Sequence, residues 1–80
     1  MADIPDELIK LERSAEEERA HLAGLTGDAY DEQWRRWRAA SEAVQAAITA
    51  HAAATGAGRH EVEQAVKQAV RHSQEDPAVE

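Results

Sequence analysis

The segment Trp34-Arg35-Arg36-Trp37-Arg38 concentrates the side chains best suited to recognition. Indoles and guanidinium groups interleaved in this way serve single-stranded nucleic-acid binders, which stack bases on rings and track phosphates with cations. The same residue types dominate hot spots between proteins. Helical geometry separates these readings. At 100° per residue Trp34 and Trp37 share a seam, while Arg35, Arg36 and Arg38 spread over the other sides, so no single basic face forms. In an antiparallel hairpin the arginines lie opposite Glu16, Glu17 and Glu18, and interhelical ion pairing is the expectation for them. Tyr30, Trp34, Trp37 and Arg38 are therefore read as protein-contact residues, the two indoles as anchors and Arg38 on the rim.

Other reactive residue types are present without the spacing that chemistry requires. The chain has no cysteine, hence no thiol nucleophile, disulfide or thiolate metal site. His60-Glu61 is followed by Val62, Glu63 and Gln64, which breaks the His-Glu-x-x-His pattern. Glu17 and His21 stand one turn apart and supply only two ligands, so no metal and no cofactor is expected. His51 falls on the central seam, where a partly buried imidazole is a candidate pH-sensitive group. Gly56-Ala57-Gly58-Arg59-His60 can present backbone N–H groups to an anion, but glycines in a short connection chiefly serve conformation. No nucleophile elbow or phosphate loop occurs, so neither an enzyme nor a small-molecule substrate is expected.

Ala52, Gly56 and Val62 follow the pattern alanine, three residues, glycine, five residues, valine. Over about Ile48 to Lys67 the chain resembles a helix-turn-helix, the DNA-binding corner in which a glycine makes the turn. That resemblance implies that helix 59–73 reads DNA, with Arg59, Gln64, Lys67, Gln68 and Arg71 offered to base edges and phosphates. Thr55 and Ala57 depart from the larger apolar residues usual there, and Glu61 and Glu63 would face phosphates. DNA binding is thus the alternative to protein contact.

The elements that must position these groups follow from periodicity. Helix one is expected over about 4–24, with Asp3 and Asp6 around Pro5 as start signals and Gly24 as the stop. Its seam is Ile4, Leu8, Leu11, Ala15, Leu22 and Leu25, interrupted at Glu18. Helix two is expected over about 28–55, capped by Thr26 or Asp28 and stopped by Gly56. Its seam, Tyr30, Trp34, Trp37, Ser41, Val44, Ile48, His51 and Thr55, alternates steps of four and three without a break. A parallel stripe of alanines (Ala40, Ala43, Ala47, Ala50, Ala54) is expected to receive helix three. That helix, about 59–73, turns Val62, Ala65, Val66, Ala69 and Val70 inward. The fold class is all-α: a long antiparallel hairpin with a shorter third helix packed back on the C-terminal half of helix two. Residues 1–73 form one domain and 74–80 a flexible acidic tail.

Composition bounds what such a domain can do. Of 34 hydrophobic residues in 80, 18 are alanine, which leaves few large side chains for a core. A chain of this size buries only about 60% of its unfolded surface, and association is a common support. The net charge of −7 is uneven: −7 over residues 1–32, +3 over 33–73 and −3 in the tail. Only the middle tolerates a polyanion, and its excess is small beside a nucleic-acid footprint. No run approaches a membrane span, and the acidic N-terminus lacks a signal-peptide pattern, so a cytoplasmic location is expected. Abundant alanine, seven arginines against two lysines and no asparagine or phenylalanine fit the bias of GC-rich bacterial genomes. Two indoles where only two helices overlap cannot be enclosed by one copy. Either the rings stay half exposed on a lone hairpin or a second chain covers them; the second is the expectation, as a homodimer or another protein partner.

Overall fold

The computed structural model describes residues 4–75, with side chains through residue 72. Three helices follow one another, with no strand among the described residues: α1 (Asp6–Ala20), α2 (Gly27–Thr55) and α3 (Arg59–Glu75). α1 packs chiefly on α2, and α3 touches both. At 1.5 Å per residue the 29 residues of α2 span about 44 Å, and the molecule's extents are 44 × 36 × 16 Å. Its radius of gyration, 14.3 Å, exceeds the roughly 12 Å of a compact domain of 80 residues. The protein is a thin slab.

α1 starts later and stops earlier than its sequence pattern suggests. Pro5 is the N-cap, without a side-chain cap bond, and its carbonyl accepts from the Leu8 and Ile9 N–H groups. Asp6 and Glu7 follow in the first turn, where carboxylates favour the positive end of the helix dipole. Asp3, the expected cap, lies outside the described residues. Beyond Ala20 the chain tightens: Leu22 N–H donates to Arg19 O at 3.0 Å and Ala23 N–H to Ala20 O at 3.2 Å. These i to i−3 bonds wind into Gly24 at φ +84°, so the reversal toward α2 begins four residues before the glycine that marks it in sequence.

α2 ends at Gly56, whose φ of +76° lies in the left-handed region and whose N–H caps Ala52 O at 2.9 Å. Three residues later α3 opens. The Gly58 N–H donates to the Glu61 carboxylate at 3.4 Å, the reach-back half of a capping box. α3 continues to Glu75, so residues 74 and 75 of the expected tail are helical, and residues 76–80 lie outside the described chain.

The core is one cluster: Leu8 and Ala15 of α1, Val44, Ile48 and Ala52 of α2, and Val62 and Val66 of α3, with Ile4, Leu11, Ala40, Ala47 and Ala57 packed at its edge. Val70 is buried as well. Val62 and Val66 of α3 thus share the core with the i, i+4 ridge Val44–Ile48–Ala52, and of the expected alanine stripe only Ala40 and Ala47 pack at its edge. Ala43, Ala50 and Ala54 are exposed. Free energy explains the choice. Each buried methylene is worth about 0.8 kcal/mol, so covering branched side chains gains more than covering alanine.

Candidate interaction site

The patch is built at the N-terminal end of α2, beside α1. Tyr30 and Trp34 are the exposed large hydrophobic residues among those described, at 40% and 37%. Trp37, one step along the seam, is half-buried. The two indoles meet edge to face, ring centroids 6.3 Å apart and planes at 62°, a geometry that aligns a positive ring edge with a negative face. The Arg38 guanidinium carbon lies 5.4 Å from the Trp34 ring centroid, a cation–π contact, while its Nε donates to Glu42 Oε2 at 3.3 Å. Tyr30, Trp34, Trp37 and Arg38 are thus brought together on one side of the helix.

The expected ion pairs to α1 do not form. Arg35 and Arg36 reach Glu32 at 3.7 and 4.0 Å, and Arg38 reaches Glu42, all on their own helix. Among the described residues no ion pair joins these arginines to Glu16, Glu17 or Glu18. The physical reason is proximity: an i, i+3 or i, i+4 carboxylate is already within reach, so no interhelical geometry has to be ordered. The polar link between the helices at this end is Gln33, whose Nε2 donates to Glu18 O at 2.8 Å and Glu18 Oε1 at 2.7 Å. It fills the break in the α1 seam.

Trp37 also walls a cleft of about 160 Å³ shared with Glu12, Glu16 and Arg19 of α1, Ser41 and Gln45 of α2, and Lys67 of α3. Glu12 is the buried charged residue of the described chain, its side chain 8% exposed, and Lys67 Nζ pairs with its Oε2 at 3.1 Å. Periodicity overlooked this contact. The signal was a carboxylate one turn beyond Leu8 and three residues before Ala15, within the seam itself. A wider depression of about 390 Å³ lies open to solvent over Glu16, Arg19, Ala20 and Ala23.

At the corner, the residues matched to a helix-turn-helix occupy the roles that pattern requires: Ala52 and Val62 are buried and Gly56 makes the turn. Two of the five alternative contact residues, however, are exposed but held by intramolecular bonds. Arg59 bonds to Thr49 Oγ1 at 3.0 Å, to Glu63 at 3.3 Å and to the Gln45 side-chain carbonyl, and Lys67 is held by Glu12. Gln64, Gln68 and Arg71 remain on the exposed face of α3. His51 is half-buried, and its carbonyl accepts the Thr55 hydroxyl at 2.9 Å. Among the described residues no three acidic or histidine side chains converge as metal ligands, and no helix is long and apolar enough to cross a membrane. Compared with known protein families, curated proteins and solved structures, the chain matches none of them.

Proposed function

We propose that this chain is a small non-enzymatic protein-interaction module whose contact surface is the aromatic end of α2, with Trp34 and Trp37 as anchors, Tyr30 beside them and Arg38 on the rim. One observation carries the reading. The protein buries Val44, Ile48, Val66 and Val70 completely, yet leaves Tyr30 and Trp34 more than a third exposed. Aromatic side chains have the most to gain from leaving water, each covering 150–250 Å² at roughly 25 cal/mol per Å². Such a cluster on the surface of a small protein fits a site that is covered on binding.

The test is capture with tagged wild type and with Trp34→Ala and Trp37→Ala baits in the source cells, circular dichroism confirming that the variants stay helical. Proteins retained by the wild type and lost by both variants are expected. The same set on all three baits overturns the proposal.

A second reading, DNA contact through α3, is favoured by the buried Ala52 and Val62 around the left-handed Gly56. The intramolecular bonds of Arg59 and Lys67 weigh against it. Binding to random duplex that falls steeply with salt would support it, and no shift at low salt would end it.

A further inference from the structure

We infer that the occupant of the aromatic patch is a second copy of this chain, its α2 antiparallel to the first across a two-fold axis beside Trp34 and Arg35. The inference rests on reading the patch as a contact surface and adds which partner covers it.

The order of charges along α2 carries the argument. Asp28, Asp31 and Glu32 precede Trp34, and Arg35, Arg36 and Arg38 follow it. This segment is neutral in sum and split into an acidic half and a basic half. A two-fold interface uses the same surface on both copies, so it forms only where a surface complements itself. Reversing this segment sets acids on arginines, whereas a parallel pairing sets acids on acids. An unrelated partner would not require such an arrangement. The protomer uses it only in part. Arg35 and Arg36 share one carboxylate, Glu32, and Asp28 and Asp31 have no ion pair among the described residues.

The stereochemistry is more specific than the charge count. Asp31, Trp34 and Arg38 stand at i, i+3 and i+7 and share one face of the helix. With the axis between positions 34 and 35, position 31 of one copy lies opposite position 38 of the other. Asp31 then meets Arg38 of the second copy twice by symmetry, and the two Trp34 rings close the centre. Arg38 is already poised over Trp34. Its pairing with Glu42 leaves both side chains more than 60% exposed, the kind of ion pair that contributes little and exchanges readily. Tyr30 and Trp37 flank the indoles on the side toward α1.

The experiment is sedimentation equilibrium of the full chain over the micromolar range. It compares wild type, Trp34→Ala, Asp31→Arg, Arg38→Asp and an equimolar mixture of the two charge reversals, with circular dichroism on each. The wild type is expected to dimerise. Trp34→Ala weakens the dimer by about thirtyfold, the effect of losing a hot-spot residue. Each charge reversal places like charges opposite each other and weakens self-association by about tenfold. Mixing the two reversals brings opposite charges together again and restores the dimer as a heterodimer. A wild type that stays monomeric overturns the second copy as partner, while loss of other captured proteins by Trp34→Ala would leave the proposed function standing. A dimer that depends on Trp34 but ignores both reversals, or is not restored by mixing, overturns the antiparallel pairing. A dimer indifferent to Trp34→Ala overturns the pairing and removes self-association as support for the patch.

Discussion

The two halves of α2 carry one uninterrupted seam and meet opposite fates. In the C-terminal half Val44, Ile48 and Ala52 are 1%, 0% and 6% exposed, and in the N-terminal half Tyr30 and Trp34 are 40% and 37% exposed. Trp34, Ser41 and Ile48 stand seven residues apart on one face, so the difference is not one of direction around the helix. It is one of layers. Val62 and Val66 of α3 join Leu8 and Ala15 of α1 in one cluster with Ile48, and Trp34 is not part of it. Burial here follows the number of covering elements, and the largest side chains lie where that number is lowest. The core half holds the buried cluster, and the aromatic half keeps Tyr30 and Trp34 in water.

The contrast can be broken or sharpened by four sets of substitutions, compared by chemical denaturation at concentrations where the chain is monomeric. Ile48→Ala should cost the most, about 2–5 kcal/mol, because it empties a site closed on all sides. If it cost less than a substitution at Tyr30, the division between the halves would fail. Lys67→Met comes next, at about 1–3 kcal/mol, since it leaves the enclosed Glu12 carboxylate without its cation. Adding Glu12→Leu should recover most of that loss, because replacing both members of an enclosed pair by apolar groups is often neutral or stabilising. Further loss in the double variant would assign the pair a net stabilising role.

Gly56→Ala should cost about 1 kcal/mol through the left-handed backbone it must adopt. A β-carbon there meets nothing within 4 Å, so crowding adds nothing. An unchanged midpoint would mean that the corner relaxes freely. Tyr30→Ala should move stability by less than about 0.5 kcal/mol, since alanine's helix propensity offsets the modest packing lost at an exposed position. A loss above 1 kcal/mol would show that the patch belongs to the core after all.

The helices were legible because their signals are local. Alternating steps of four and three define the α2 seam, and Gly56 stops that helix where a left-handed cap is needed. Val62, Val66 and Val70 are buried as the one-sided pattern of α3 implies. The exposure of Trp34 was legible too, since two helices offer little cover for two indoles, while Trp37 is half-buried. Less could be read where several partners compete for one side chain. The arginines chose carboxylates on their own helix over those on α1, and Gln33 took the place expected of them. Asp3 lies beyond what the structure describes, and the end of α1 is set by turn bonding rather than by Gly24.

By itself, then, the order of residues determined three helices, their inward faces, the corner at Gly56 and a greasy end on α2. The tertiary structure alone decided that α3 rests on Val44, Ile48 and Ala52 while Ala43, Ala50 and Ala54 stay in water. It alone paired Glu12 with a lysine 55 residues away. Periodicity fixes which way a side chain points around its own axis, because that depends on backbone geometry a few residues long. Which neighbour it meets depends on how whole helices minimise exposed apolar surface together, and that is settled only when all three are in place.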